Sequence, residues 1–251
     1  SNVVSISDLL KELTTNLNED IEIQIIEGLR VVDIADQLAE NKELEDFESD
    51  RFINLCSDQK FIRQLVEDLD FYNVNSLEGF LFPDTYKINP SYNEEDIIKI
   101  LVSNFLTKIK PYRSDIKDRG IDTLMIVASI IEAETGYENE MKTISSLYYN
   151  RIKKNKPLDS DPTFSYLTGR KMKSTDKRSS NPYNTYNKKN DTLILPPTPI
   201  NSPGLKAIEA SIYPEETDYM FMFSPDAVNY HIFTKTNDAH EAVIDSVKAN
   251  Q

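Results

Sequence analysis

Apolar positions in the first ninety residues change their period along the chain. Between residues 21 and 25 isoleucines alternate with polar residues, which predicts a short, half-buried strand. Between residues 31 and 38 apolar residues recur at helical spacing, and further helices are predicted over about 46–57 and 58–69. The aromatic stretch 77–86 contains a glycine and a proline, which favours a shaped loop. This part of the chain is predicted to be a small α+β region.

Longer helices are predicted in the middle of the chain. One begins near residue 93 with acids at the positive end of its dipole and runs to about 109. Residues 121–134 are apolar nearly all round, which indicates a helix buried by its neighbours, and another helix is predicted over about 138–154. The polar stretch 156–192 is predicted to be a long loop, functional or disordered.

The last third of the chain again mixes the two periods. A helix is predicted to begin at Ser202-Pro203, with the proline in its first turn. Strands are predicted near 219–223 and 231–234, before a closing helix. The whole pattern predicts an α+β fold that is rich in helices.

Composition narrows the possible chemistry. The 251 residues include 28 Lys and Arg against 42 Asp and Glu, a net charge of −14, which argues against a nucleic-acid partner. The single cysteine, Cys56, excludes an intramolecular disulfide and lies at apolar helical spacing, as a structural thiol does. Two histidines leave little for a zinc site, and His231, in a strand pattern, is predicted to be structural. We expect no metal and no cofactor, which leaves carboxylates, tyrosines and hydroxyls.

Positive charge is concentrated in one stretch. Residues 142–189 contain twelve Lys and Arg and only three Asp, so the remainder of the chain is strongly acidic. Two interpretations stay open for this stretch: a solvated surface loop, or one wall of a groove for an acidic polymer. No run approaches the roughly 18 apolar residues that a membrane helix needs.

Two carboxylates lie at the end of the most apolar predicted helix. Burial raises the pKa of a carboxylic acid, as a general acid near neutral pH requires, although Glu132 and Glu134 could also reach into solvent. Positions two apart on a helix point about 200° from each other, so the two cannot face one cleft equally. Glu134 stacks over larger apolar residues than Glu132 does, which favours Glu134 as the acid.

Two polar clusters lie in the predicted loop. Residues 183–186 combine tyrosine rings with an amide and a hydroxyl, which suits sugar faces and N-acetyl groups, or else form an ordinary turn with packed tyrosines. Residues 159–163 could supply a second carboxylate or cap a turn.

Several motifs resemble a known family, in the same order along the chain. They are 77–86 (LEGFLFPDTY), 128–135 (ASIIEAET), 149–151 (YNR), 158–163 (LDSDPT) and 182–186 (PYNTY). Together they resemble the endolytic murein transglycosylases, the YceG-like family. The resemblance runs from about residue 21 to the closing helix, and it departs from the family pattern at Asn181 and Thr198.

The resemblance implies an architecture and a location. Residues 71–251 are expected to form a lysozyme-like, helix-rich catalytic domain, and residues 1–70 part of a small LysM-like α+β subdomain. A single N-terminal membrane anchor, absent from this sequence, is expected to hold the catalytic domain outside the cytoplasm. The expected partners are peptidoglycan glycan strands and peptidoglycan synthases at the membrane, with no nucleic acid.

The resemblance also implies an activity. Members cut inside glycan strands between N-acetylmuramic acid and N-acetylglucosamine, leave 1,6-anhydro ends, and so could terminate glycan elongation. The family's catalytic glutamate falls on Glu134, with Glu132 and Asn150 expected in support. The residues expected to bind substrate are Ser160, Asp161, Thr163, Tyr183, Asn184, Thr185 and Tyr186.

Three other classes stay open at this point. A catalytically silent peptidoglycan-binding scaffold would keep the groove and give no products. A hydrolytic muramidase would need a second carboxylate to activate water, for which Asp161 is the candidate. A nucleic-acid binder built on residues 142–189 is the weakest alternative, because the acidic remainder of the chain repels the same polyanion.

Overall fold

The structure is a computed structural model that describes residues 19–66, 74–189, 192–193, 195–225 and 230–249. Its helices are α1 (Val31–Ala39), α2 (Ser49–Leu55), α3 (Gln59–Val66), α4 (Glu94–Ile109), α5 (Arg113–Arg119), α6 (Ile121–Glu134), α7 (Glu138–Lys153), α8 (Asp161–Thr168), α9 (Leu205–Ile212) and α10 (Asn237–Ala249). Its strands are β1 (Ile21–Ile25), β2 (Asp84–Ile88), β3 (Lys188–Lys189), β4 (Thr192–Leu193), β5 (Phe221–Phe223) and β6 (Ile232–Thr234). Short 3-10 helices cover Lys110–Tyr112 and Ser174–Arg178.

The first sheet pairs β1 with β2 in antiparallel register, with Ile21 opposite Ile88 and Ile25 opposite Asp84. The isoleucines of β1 are buried and its polar residues exposed, so the predicted strand is confirmed. The predicted loop over 77–86 is wrong at its end, where β2 begins. β2 forms because Tyr86 and Ile88 bury the same face of the sheet as the isoleucines of β1, which lie about sixty residues earlier.

Helix α6 lies between two hydrophobic cores. Its residues Leu124, Met125 and Ala128 belong to a core that begins at β1 and extends through α5. Ile130 and Ile131 belong to a second core built with α7 and α9. The predicted burial of this helix on nearly all sides is confirmed. The last residue of the helix lies where polar groups adjoin the second core.

The polar stretch after α7 contains regular structure that the sequence analysis did not predict. Helix α8 begins with an aspartate and a proline in its first turn and ends before Gly169, which adopts a left-handed conformation with φ 64°. Proline favours the first turn of a helix, because an N–H at that position would have no hydrogen-bond partner within the helix. Glycine favours the position after the last turn, because it tolerates positive φ. The prediction of a continuous loop over 156–192 is therefore wrong.

The C-terminal part forms a hairpin and two helices. β5 and β6 pair in antiparallel register and α10 follows, as predicted. Helix α9 begins at Leu205 with Gly204 as its N-cap, so Pro203 precedes the helix and does not occupy its first turn. Within the described ranges, every helix is too short or too polar to span a lipid bilayer. Helices with three small antiparallel sheets make the described chain α+β.

Candidate active site

A polar cavity of about 470 Å³ opens where α6 ends. Glu134 lines it together with residues from several other parts of the chain. The segment around the start of α8 provides Asp159 and Asp161, and the later part of the polar stretch provides Lys177 and Tyr186. Helix α7 provides Leu147 and Arg151, and the hairpin with α10 provides side chains that include Phe221, Met222, Phe223, His231 and His240.

Glu134 is the last residue of α6 and is partly buried. Its Oε1 accepts a hydrogen bond from the Tyr148 hydroxyl at 2.6 Å and another from the Ser160 hydroxyl at 2.8 Å. Burial raises the pKa of Glu134, and the two hydroxyl donors partly oppose that rise because they stabilise the ionised form. A raised pKa favours the protonated form that a general acid needs.

Glu132 points away from the cavity, as the spacing of two residues predicts. Its Oε2 accepts the Gly204 N–H at 3.0 Å, which ties α6 to the start of α9. Burial raises the pKa of Glu132 as well. Glu132 can therefore support the site only indirectly, by holding these two helices together, and not by contact with Glu134.

Three of the residues predicted to bind substrate lie at the cavity or reach it. Asp161 and Tyr186 line it together, and the Tyr186 hydroxyl donates to Asp161 Oδ1 at 2.5 Å. The Lys177 ammonium lies 4.4 Å from the centre of the Tyr186 ring. Ser160 is buried and reaches the site through its hydrogen bond to Glu134. An aromatic face, a carboxylate and an ammonium are thus available to a polar ligand.

The other four residues of that set are buried behind the cavity. The Asn184 amide donates to carbonyls of the preceding loop, including that of Ser179 at 2.8 Å. The Thr185 hydroxyl bonds the Ser160 N–H at 3.0 Å and the Thr163 hydroxyl at 3.1 Å. Tyr183 packs its ring against Tyr166, with 4.8 Å between ring centres. The polar atoms of Tyr183, Asn184 and Thr185 bond backbone or hydroxyl groups of the protein, as the side chains of a packed turn do.

Asn150 contacts backbone where a carboxylate was expected. Its amide donates to the carbonyls of Thr217 and Tyr219, at 2.9 and 3.1 Å, so it fixes the chain that leads into β5. The expectation that it orients a carboxylate is corrected by these contacts. An amide NH₂ has two hydrogens, and two carbonyls occupy them.

Arg151 joins the two sides of the cavity, a role that sequence reasoning missed. Its buried guanidinium donates to the Met220 carbonyl at 2.7 Å, to the Pro157 carbonyl at 2.8 Å and to Asp159 Oδ2 at 2.6 Å. The rigid fork of donors lets one side chain hold β5 and the segment before α8 together.

His231 was predicted to be structural, and its contacts fit that role. Glu140 accepts its backbone N–H at 2.8 Å and bonds its Nδ1 at 2.9 Å. Its ring also lines the cavity, where it lowers the pKa of Glu134. Cys56 is a buried free thiol, as expected.

Tyr148 is the contact of Glu134 that sequence reasoning missed. It follows Met141 and Ile144 on the buried face of α7, at the spacing of an ordinary core residue. Only the packing of α7 against α6 shows that its hydroxyl meets a carboxylate.

Comparison with known proteins places these features in a family. A family model described as the YceG-like family matches residues 1–246. An endolytic murein transglycosylase of Bacillus subtilis (strain 168) is 33% identical over 234 residues, which cover 87% of this chain and 63% of that protein. One of Streptococcus pneumoniae serotype 2 (strain D39 / NCTC 7466) is 28% identical over 262 residues, which cover 93% of this chain and 47% of that protein. The chain spans less than two thirds of either relative.

A solved structure agrees with this relationship. The 2.6 Å crystal structure of the yceG-like protein lmo1499 from Listeria monocytogenes matches with a TM-score of 0.79 and 26% identity, covering 97% of this chain and 82% of that chain. The motif resemblance found in the sequence is confirmed by the family match over nearly the whole chain. This chain belongs to the YceG-like family.

Proposed function

We propose that this chain is the catalytic part of an endolytic peptidoglycan lytic transglycosylase and that Glu134 is its general acid and base. The observation that carries the proposal is a single partly buried carboxyl group, with a raised pKa and two hydroxyl donors, at a polar cavity. The relatives named as endolytic murein transglycosylases supply the substrate class.

The proposed reaction needs one carboxyl group. Protonated Glu134 donates its proton to the oxygen of the glycosidic bond between N-acetylmuramic acid and N-acetylglucosamine as that bond breaks. The resulting carboxylate takes the proton from the C6 hydroxyl of the same muramic acid, whose oxygen bonds to C1 and forms the 1,6-anhydro ring. An intramolecular nucleophile gains from proximity, so no water has to be activated. Ordinary glycosidases differ in using two carboxylates.

The walls of the cavity support a sugar ligand. Tyr186 and Phe221 contribute aromatic rings to the lining, and Asp161 and Lys177 contribute charged groups that can bond hydroxyl or acetamido groups. We assign Asp161 and Tyr186 to substrate contact, and Ser160 to contact with Glu134. Thr163, Tyr183, Asn184 and Thr185 support the cavity from behind.

The proposal extends to the parent protein. An N-terminal membrane anchor, an extracytoplasmic catalytic domain and synthases as partners follow from the family resemblance, as does termination of glycan elongation. We also propose that residues 71–251 are lysozyme-like and that residues 1–70 are part of a LysM-like subdomain. The β1–β2 sheet joins these two regions, so we treat them as one folded unit.

Glu134→Gln tests the acid directly. The amide keeps a carbonyl oxygen for Tyr148 and Ser160 but has no acidic proton, so the rate should fall about a hundredfold or more while folding is retained. The measurement is mass spectrometry of digested, purified peptidoglycan, with 1,6-anhydro-muramyl ends as the product counted. Glu138→Gln is the matched control, because Glu138 is an exposed carboxylate on the next helix whose ion pair with the exposed Lys206 is long, at 3.8 Å.

Three other results would redirect the proposal. Anhydro ends from Glu134→Gln at the wild-type rate would remove Glu134 from the mechanism. Reducing ends from the wild type would support a hydrolytic muramidase, and Asp161→Asn would then be expected to abolish activity. Strand binding with no products from any variant would indicate a scaffold.

A further inference from the structure

Two hydroxyl groups converge on one oxygen of Glu134. The Tyr148 hydroxyl donates to Oε1 at 2.6 Å and the Ser160 hydroxyl donates to the same atom at 2.8 Å. Tyr148 belongs to α7 and Ser160 is the N-cap of α8, so the donors come from separate elements. Both side chains are buried, Tyr148 at 0% exposure and Ser160 at 1%. Their positions are therefore fixed by packing as well as by these bonds.

The two hydroxyl donors limit which oxygen of a protonated Glu134 can carry the acidic proton. A hydroxyl has one hydrogen to donate, and a carbonyl oxygen has two lone pairs that can accept both hydrogens. A proton on Oε1 would occupy one of those acceptor sites, and at least one buried hydroxyl would have to turn away. Leaving a buried donor without its acceptor costs free energy. The acidic proton is therefore favoured on Oε2.

We propose that Tyr148 and Ser160 confine the acidic proton of Glu134 to Oε2 and are positioning residues for its transfer. This rests on the proposed function of Glu134. The same two donors remain on Oε1 after the proton leaves, so they stabilise the carboxylate that must next act as a base. Neither side chain is assigned a contact with substrate.

Other charged groups also act on Glu134. Asp161 raises its pKa and His231 lowers it, and both belong to the same cavity. Arg151 lines the cavity too, with its charge compensated by Asp159. None of these groups is changed by removing the Tyr148 hydroxyl, so the effect of that removal can be read separately.

The test combines a titration with a rate profile. In protein labelled with ¹³C at glutamate side-chain carboxyls, with the Glu134 signal assigned by its loss in Glu134→Gln, Tyr148→Phe should move the titration midpoint of Glu134 up by about one pH unit. A general acid works while protonated, so the alkaline limb of kcat on peptidoglycan should move to higher pH by the same amount. We expect kcat to fall about tenfold with KM within about twofold.

Tyr149→Phe is the matched control. It removes a hydroxyl from the next residue of α7, where the bond is to Ser211 at 3.0 Å, and it should leave both the titration and the rate profile unchanged. Ser160→Ala should shift the Glu134 midpoint in the same direction as Tyr148→Phe. If Tyr148→Phe does not fold, Ser160→Ala provides the test instead. Ser160→Thr, which keeps a hydroxyl, should restore much of the wild-type midpoint.

The two hypotheses fail in different ways. An unchanged Glu134 midpoint in folded Tyr148→Phe and Ser160→Ala would overturn the positioning role, whatever products the wild type makes. A shifted midpoint in a protein that makes no anhydro ends would retain the positioning role and overturn the transglycosylase.

Discussion

Glu78 is a strongly buried carboxyl group, and it lies outside the cavity. Its Oε1 accepts the Val31 N–H at 3.1 Å and its Oε2 accepts the Tyr166 hydroxyl at 2.9 Å. Burial raises its pKa to about 7. The Glu78 side chain thus links the start of α1 to α8, the helix that carries Asp161. The carboxyl group that makes this link gains a negative charge near neutral pH.

This burial predicts that stability falls as pH rises. An ordinary pKa of 4.5 in the unfolded chain and about 7 in the folded protein mean that the folded state holds an extra proton between these values. The contribution is complete below pH 4.5 and is lost as pH passes 7, and the difference corresponds to about 3 kcal/mol. Glu78→Gln cannot titrate, so its free energy of unfolding should vary less with pH.

Urea denaturation at pH 5, 6.5 and 8 measures this difference. Wild type and Glu78→Gln should diverge progressively, with the variant gaining relative stability at the highest pH. The exposed Glu138→Gln serves as the reference substitution. Curves for Glu78→Gln and wild type that stay parallel across the whole range would show that Glu78 is already ionised at pH 5.

The site residues differ in how far sequence alone could identify them. Glu134 could be separated from Glu132 because helix geometry turns them to opposite sides, and one side stacks on larger apolar residues. Tyr148 could not be found, since a tyrosine at core spacing has the same pattern whether or not its hydroxyl meets a carboxylate. The burial of Asn184 could not be found either, because a polar side chain in a predicted loop carries no sign of being buried.

At the scale of elements, local signals decided which predictions held. Helices α4, α6 and α7 agree with their predicted bounds, because apolar pattern and terminal charges lie within each segment. Strand β2 depends on a partner sixty residues away, so no local pattern distinguished it from a loop. Helix α8 was not predicted, because the many Ser, Asn and Lys residues around it favour a loop and obscured the signals at its two ends.

Two turn glycines allow backbone strain to be separated from crowding. Gly28 and Gly79 both have positive φ, +81° and +86°, which side chains rarely adopt. A Cβ on Gly28 would meet nothing within 4 Å, whereas on Gly79 it would lie 2.5 Å from Pro199 Cβ. Gly28→Ala should cost about 1 kcal/mol from backbone strain alone. Gly79→Ala should cost about 3 kcal/mol, since overpacking adds to the strain.

The comparison of the two variants is made by urea denaturation under one set of conditions. Equal losses would mean that the loop before β2 shifts freely away from Pro199, which would contradict a tight junction there. A larger loss for Gly79→Ala would show that the packing of this loop on the segment before α9 contributes to stability.

At the scale of the whole molecule, the N-terminal region is continuous with the rest. One hydrophobic core contains residues of β1, α1 and α4 together with Ile208 and Ile212 of α9. Backbone hydrogen bonds join the two regions directly, from Gly28 N–H to the Ser202 carbonyl at 2.9 Å and from Ser202 N–H to the Leu29 carbonyl at 2.8 Å. Segments far apart in sequence therefore share one core.

This continuity predicts that residues 71–251 do not fold by themselves. Without β1 and α1, strand β2 loses its partner and the buried face of α4 loses apolar contacts, so hydrophobic stabilisation across the shared core is lost. Circular dichroism during heating should show no cooperative transition for 71–251, while the full chain should unfold cooperatively. If 71–251 instead unfolded cooperatively near the full-length midpoint and cut peptidoglycan, the N-terminal region would be a separable domain and the shared core would contribute little to stability.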